Sequence, residues 1–306
     1  MMAINRRDAL RMIAAGSMAG SMGLAGAASS SPAPLLSRRI PSSGESLPVI
    51  GLGTWQTFDV GAGRSERAPL EEVLKIFAAE GGKLIDSSPM YGQAEEVAGD
   101  LIASLGLRPR LFIATKVWTS GRKAGIAQME ESMKKLRADP IDLIQVHNLV
   151  DTDTHLATLR EWKRAGRVRY IGVTHYTASA HDAVARVIAA QPVDFLQINY
   201  SVGEREAEKR LLPLAAERGV AVIANRPFGG GGLLRRLSGK PLPPWAADIE
   251  CTSWAQLLLK FVVSHPALTC AIPATSKATH VRDNMAAGRG PMPDAAMRER
   301  IAAEAA

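Results

Sequence analysis

The sequence predicts an α/β protein, a (β/α)8 TIM barrel with an N-terminal β-hairpin, on three observations. Short apolar runs alternate with amphipathic stretches eight times, and no linker is long enough to divide the chain. Strands separated by helices pair in parallel through right-handed crossovers, and eight such units in a span of about 250 residues match a closed barrel. An open doubly wound sheet would carry Gly-x-Gly-x-x-Gly after its first strand. Here Gly51-Leu52-Gly53 runs into Thr54-Trp55-Gln56, which lacks the third glycine and opens no helix.

The elements follow in order. A hairpin over 37–40 and 47–52, turned by Ser43-Gly44-Glu45-Ser46, leads into the first strand at 49–52. The remaining strands are predicted at 83–86, 111–116, 143–147, 170–174, 195–198, 220–224 and 269–272. Between and after them, helical spacing marks 69–80, 94–105, 124–137, 154–165, 178–190, 206–218, 252–264 and 278–286, and a helical tail runs over 294–305. The barrel is assigned residues 37–306, preceded by a flexible segment at 28–36 and a cleavable signal at 1–27.

Of the 306 residues, 46% are hydrophobic and 22% charged, which is ample for a soluble protein with a sizeable core. The net charge of +7 is dispersed apart from Arg38-Arg39 and Arg235-Arg236, and only 5% of residues are aromatic. A nucleic-acid surface needs a continuous basic face with interleaved aromatics, so no nucleic-acid partner is expected. Cys251 and Cys270 allow at most one bridge, and the apolar run around Cys270 predicts a buried reduced thiol.

The amino terminus reads Asn5-Arg6-Arg7-Asp8-Ala9-Leu10-Arg11, then an uncharged run of Ala, Gly, Ser and Met to Ala28. That run is too weakly apolar to span a bilayer, and Ala25-Gly26-Ala27 offers a small-x-small cleavage site. The pattern resembles a twin-arginine export signal, with Asn5 and Ala9 departing from the usual residues. The resemblance implies the twin-arginine machinery as a partner and a periplasmic location. A plain disordered or amphipathic tail is the alternative.

Three predicted strands end in ionisable groups. Leu84-Ile85-Asp86 ends in a carboxylate, with Tyr91 five positions on; Thr115-Lys116 ends in an ammonium; Val146-His147 ends in an imidazole. In a barrel of this kind the carboxyl ends of the strands build the site. Lysine at the end of a buried strand is costly without a purpose. A phenol, with a reference pKa of about 10, is a poor acid at neutral pH, and a neighbouring ammonium lowers that value. The expectation is therefore that Tyr91 moves a proton, Lys116 tunes it, Asp86 holds Lys116, and His147 donates to a carbonyl oxygen. No metal is needed.

Residues 38–287 resemble an aldo-keto reductase. The resemblance rests on Gly51-Leu52-Gly53-Thr54-Trp55, on the stretch from Ile85 to Gly92, on Ala114-Thr115-Lys116 and on Val146-His147-Asn148. It continues in Ile171-Gly172-Val173-Thr174, Leu196-Gln197-Ile198-Asn199 and Ile272-Pro273-Ala274-Thr275 with Asn284. It implies reduction of small aldehydes or ketones, Asp86, Tyr91, Lys116 and His147 as the catalytic tetrad, and NADPH extended across the barrel mouth. For the nicotinamide it implies Thr174, His175 and Gln197, with Asn225 where the family places a stacking aromatic and Phe228 close by.

Phe228 and Gly229 open a glycine run whose amides are expected to approach a pyrophosphate. Thr275, Ser276, Lys277, His280 and Arg282 gather at a helix start suited to a ribose 2′-phosphate, and Asn284 faces the adenine. Ala274 stands where a basic residue is usual, which leaves NADH possible. Trp55, Met90 and Trp118 are read as an apolar substrate wall around a broad, shallow pocket. Two other readings stay open: an exported non-catalytic binding barrel, and a metal-dependent hydrolase using His147, His175 and Asp86. Oligomeric state is not legible.

Overall fold

The structure is a computed structural model that describes residues 33–306. The expected signal at 1–27, its arginine pair and the first part of the 28–36 segment lie outside the described residues. Leu36 is docked, its amide donating to Gly288 O at 2.8 Å and its carbonyl accepting from Val49 N at 2.9 Å.

Strands β1 (Ser37–Arg39) and β2 (Ser46–Pro48) form the antiparallel hairpin. Eight parallel strands follow: β3 (Leu52–Gly53), β4 (Leu84–Asp86), β5 (Phe112–Val117), β6 (Ile141–His147), β7 (Val168–Thr174), β8 (Phe195–Asn199), β9 (Ala221–Asn225) and β10 (Cys270–Ala271). They pair in sequence order from β3 to β10, and the bridges Ile50↔Ala271 and Gly53↔Ala274 close the ring. At this seam the backbones approach closely: a Cβ on Gly53 would lie 2.9 Å from Ile272 O. The predicted first strand at 49–52 is a regular strand only from Leu52: Val49 N donates to Leu36 O, and Val49 O and Gly51 N bond to Ala271 as an isolated bridge.

Side chains alternate along each strand, so each contributes to two cores. Leu84, Phe112, Leu143, Tyr170, Phe195 and Ile223 fill the barrel, with Ile40 and Leu47 of the hairpin plugging its floor. Phe112, Tyr170 and Phe195 pack together there with centroids 5.5–5.9 Å apart, Phe112 stacked on Tyr170 and Tyr170 edge-on to Phe195. Each such ring contributes about 1.5–3 kcal/mol by burial. Ile85, Ile113, Ile144, Val173, Leu196 and Val222 point outward and pack under the helices.

The helices are α1 (Arg64–Ala79), α2 (Ala94–Ser104), α3 (Arg122–Lys135), α4 (Thr152–Arg164), α5 (His181–Ala190), α6 (Leu211–Glu217), α7 (Gly232–Arg236), α8 (Trp254–Val263), α9 (Ala278–Ala286) and α10 (Ala295–Ala305). Three differ from the sequence expectation. Helix α1 begins before Pro69 and carries it inside, with Leu70, Val73, Leu74 and Phe77 as its buried stripe. The predicted 206–218 helix splits into a 3-10 turn at Glu206–Lys209 and α6, with Pro213, in the first turn of α6, lacking the N–H that a continuous helix would bond back to Lys209 O. The predicted 178–190 helix likewise opens on a 3-10 turn at Ala178–Ala180. Helix α7 and the 3-10 turn Pro244–Ile249 were not expected. Both cysteines are free and buried. Among the described residues no helix is long and apolar enough to cross a membrane.

Candidate active site

The inward register carries down each strand to its carboxyl end. The residues that follow the apolar interior layer by steps of two are Asp86 on β4, Lys116 on β5, His147 on β6, Thr174 on β7, Gln197 on β8 and Asn225 on β9. Polar groups so far inside a barrel must be paired. Asp86 and Lys116 pair with each other: Lys116 Nζ donates to Asp86 Oδ2 and to Ser87 O, both at 2.7 Å. The lysine is fully buried and the aspartate 2% exposed.

Tyr91 lies on the loop between β4 and α2, its amide donating to Ser88 O at 3.0 Å. Gly92 holds a left-handed φ of 60°, and a Cβ there would meet Asp59 Oδ1 at 2.2 Å. Asp59 accepts from Gln93 N at 2.9 Å, so this glycine fixes the loop that presents the phenol. Lys116 Nζ sits 5.1 Å from the centre of the Tyr91 ring. The rings of Tyr91 and His147 meet edge-on at 6.4 Å, and Trp118 lies at the same distance from His147 on another side. The four residues predicted from strand ends are thus brought together.

Their electrostatics differ from expectation at one point. The phenol of Tyr91 is pushed above its usual value, chiefly by burial; Lys116 lowers it, Asp86 raises it, and the ammonium does not win. Burial works against the Lys116 charge, but Asp86 and Tyr91 outweigh it and raise the pKa. Burial, then the charges of Lys116 and His175, hold His147 down to about 3, so its imidazole is neutral. At neutral pH the site therefore presents a protonated phenol, an ammonium and a neutral imidazole.

The residues expected around a nicotinamide form a second layer. Gln197 Nε2 donates to Asp86 Oδ1 at 2.8 Å, and Thr174 Oγ1 donates to Gln197 Oε1 at 3.0 Å. His175 stacks on Tyr176 and its Nδ1 accepts from the amides of Tyr176 and Thr177. Asn225 Nδ2 donates to His175 O at 3.1 Å, while its Oδ1 is buried without a partner. Asn148 Oδ1, Ser201 Oγ and Arg226 Nε, also just past strand ends, are buried and unpartnered too. Buried polar atoms without partners are few in folded proteins, and their gathering here fits a polar ligand bearing donors and acceptors.

Phe228 is half-buried against the outer core. The glycine run after it departs from expectation: the amides of Gly229, Gly231 and Gly232 donate to Arg226 O, Phe228 O and Gly229 O within the turn. The run is a wound turn leading into α7, and those three amides are occupied. Past β10, Thr275 is buried and accepts from Lys277 N at 3.1 Å, and Ser276 is half-buried beside it. Helix α9 starts with no side-chain cap, leaving first-turn amides free. Lys277, His280 and Arg282 are exposed around that start, with Arg282 4.0 Å from Glu72, and Asn284 is buried on the same helix.

Trp55, Met90 and Trp118 are each 41–43% exposed, just beyond the ends of β3, β4 and β5. Among the described residues no group of three or more His, Cys, Asp or Glu side chains is placed to hold a metal ion. Sequence reasoning missed Gln145, whose Nε2 reaches Asp86 Oδ1 at 3.4 Å, and Ser88, whose Oγ lies 3.4 Å from His147 Nδ1. Gln145 was findable, since it sits two residues before His147 and shares its face. Ser88 sits in a loop, where spacing gives no such signal.

Against this geometry the comparisons can be set. The sequence profile of the Aldo/keto reductase family matches residues 49–303. Methylglyoxal reductase YeaE of Escherichia coli is 30% identical over 257 residues, covering 81% of this chain and 88% of that protein. An aldo-keto reductase of Mycobacterium sp. (strain KMS) is 34% identical over 231 residues, covering 72% and 76%. Among solved structures, an aldo/keto reductase from Klebsiella pneumoniae in complex with NADP and acetate superposes with a TM-score of 0.72 at 26% identity, covering 84% of this chain and 91% of that one.

Proposed function

The chain belongs to the Aldo/keto reductase family, and on that premise we propose that it reduces small aldehydes or ketones to alcohols with NADPH, Tyr91 acting as general acid. The observation that carries the assignment of roles is the fully buried Lys116, clamped by Asp86 at 2.7 Å beneath the Tyr91 ring. A buried ammonium on a barrel strand has no structural need, and here it faces the one phenol whose ionisation it can stabilise.

NADPH, when bound, would supply a hydride to the carbonyl carbon. As negative charge develops on the carbonyl oxygen, Tyr91 donates its proton, and the Lys116 ammonium stabilises the phenolate left behind. Asp86 keeps Lys116 charged and fixed. His147, neutral, donates one hydrogen bond to the same oxygen and sets its angle. Thr174, His175, Gln197 and Asn225 would hold the nicotinamide end, Phe228 and Gly229 would line the path of the phosphates, and Thr275, Ser276, Lys277, His280, Arg282 and Asn284 would take the adenosine end. The NADP-bound Klebsiella relative supports this choice of cofactor; NADH remains the competitor because Ala274 supplies no charge. Trp55, Met90 and Trp118 would wall a broad, shallow substrate pocket.

The same proposal extends to the amino terminus. Residues 1–27 are read as a twin-arginine-type signal and 37–306 as the exported barrel, with the cofactor bound before passage to the periplasm. Fractionation of cells making the full chain tests this: Arg6→Lys with Arg7→Lys should hold the protein inside, and equal export of both forms would exclude the signal.

The reductase reading is tested by NADPH and NADH fluorescence titration, followed by turnover with 4-nitrobenzaldehyde for the native chain and Tyr91→Phe. Binding by both with turnover only in the native chain is expected. Binding without turnover across a panel of aldehydes and ketones would overturn the catalytic reading. Saturation by a single aldehyde at submicromolar concentration would overturn the broad pocket.

A further inference from the structure

The side chain of Ser88 is fully buried in the turn between Asp86 and Tyr91, and its hydroxyl has one polar neighbour, His147 Nδ1 at 3.4 Å. Among the described residues no hydrogen bond reaches the other ring nitrogen, Nε2. We propose that Ser88 is a positioning residue that fixes the tautomer of His147, donating to Nδ1 so that the ring proton resides on Nε2, toward the substrate. This deepens the reductase reading above and rests on it for its catalytic consequence, though not for the hydrogen bond itself.

A neutral imidazole carries one N–H and one lone pair, and a hydroxyl carries one donor. With the proton on Nε2, Ser88 donates to the Nδ1 lone pair, and Nε2–H is free to donate to a carbonyl oxygen. With the proton on Nδ1, Ser88 Oγ accepts, its own buried O–H has no acceptor, and Nε2 turns a lone pair toward the oxygen it should bind. A buried donor without a partner is costly, so the first arrangement prevails. Neutrality is set independently, since burial and the charges of Lys116 and His175 keep the ring unprotonated.

The position of Ser88 is fixed by its neighbours rather than by His147. Ser88 O accepts from Tyr91 N at 3.0 Å, Ser87 N donates to Ala114 O at 2.9 Å, and Ser87 O accepts from Lys116 Nζ. One turn therefore anchors the lysine through Ser87, presents the phenol of Tyr91, and orients the imidazole through Ser88. The ring of His147 also neighbours Tyr91, near-perpendicular, and Trp118, tilted, each with centroids 6.4 Å away. Those contacts fix where the ring lies but do not distinguish its nitrogens.

The test is 15N–1H correlation NMR of the histidines, with His147 assigned by its loss in His147→Gln, on the native chain, Ser88→Ala and Ser88→Thr. The native chain is expected to show the Nε2–H form alone at pH 7, Ser88→Ala a mixture, and Ser88→Thr the native form. In steady-state reduction, kcat should fall about threefold to tenfold in Ser88→Ala with KM little changed, and Ser88→Thr should recover it. An Nδ1–H form in the native chain, or an unchanged tautomer in Ser88→Ala, overturns the proposal. Should Ser88→Ala fail to fold, Ser88→Gly takes its place, a mixture there supporting the proposal and an unchanged Nε2–H form overturning it. An Nε2–H form that depends on Ser88 in a chain without reductase turnover would keep the hydrogen bond and reject the reductase reading instead.

Discussion

Gln197 donates from Nε2 to Asp86 Oδ1 at 2.8 Å, joining a side chain expected to touch cofactor to the carboxylate that holds the buried lysine. Its Oε1 is engaged by Thr174. A residue serving only to grip a nicotinamide would alter cofactor affinity alone when replaced. Gln197→Leu is expected to weaken NADPH binding and also to lower kcat about tenfold, because Asp86 Oδ1 then keeps only the long contact from Gln145. Fluorescence titration beside steady-state kinetics separates the two effects, and an unchanged kcat would restrict Gln197 to binding.

The Asp86–Lys116 pair is expected to hold up the barrel mouth as well as the chemistry. Removing one partner of a buried pair leaves an uncompensated charge and costs about 3–5 kcal/mol. Asp86→Asn should lower the urea-unfolding free energy by that order, and Asp86→Asn with Lys116→Met should regain part of it. Both variants should be inactive. Additive losses in the double variant would show that the pair is not coupled.

The protonation states give a pH profile. The His147 pKa is lowered in the folded chain to about 3, from an ordinary value near 6.5, so the unfolded chain binds the proton more readily. Its contribution to stability is full above the ordinary value and is lost as pH falls toward 3. The slope attributable to His147 is at most about 1.4 kcal/mol per pH unit, and unfolding of His147→Gln at pH 7 and 5 should reveal it by difference.

Reduction should accordingly be flat through neutral pH, since the Tyr91 phenol, raised by burial, stays protonated. Alcohol oxidation needs the phenolate and should climb with pH into the alkaline range. A reduction rate that falls between pH 7 and 8.5 would contradict that assignment of the proton.

Both cysteines should be inert in the folded chain. Burial pushes the Cys251 thiol up to about 11 and raises Cys270 as well. The thiolate is the reactive form, so iodoacetamide at pH 8 should label neither in the native protein and both in urea. Mass spectrometry of the two samples gives the count.

Much of this was legible in the sequence because period-two alternation ties fold and site together. Once Leu84, Phe112, Leu143 and Phe195 are placed inside, Asp86, Lys116, His147 and Gln197 follow by steps of two. What escaped lies where local pattern loses its hold. The seam strands were expected at 49–52 and 269–272, but their true extents, two residues each in β3 and β10, are too short for any period to fix. The glycine run after Phe228 gives no side-chain signal, and its winding into α7 is a tertiary outcome. The sign of the Tyr91 shift depended on how deeply the phenol is covered, which a list of neighbouring charges does not contain.

The seam also sets a timetable for synthesis. Strand β3, near the start of the described chain, meets its second neighbour only in the stretch from Ala271 to Ala274. Until those residues emerge from the ribosome the sheet has two raw edges, and helix α9, proposed above to take the adenosine end of the cofactor, is not yet made. On the export proposal made above, residues 1–27 leave the ribosome long before the barrel can close. On that same proposal, with a route that accepts only finished folds, the last strand becomes the release signal, and a chain truncated before Ala271 is expected to stay inside the cell.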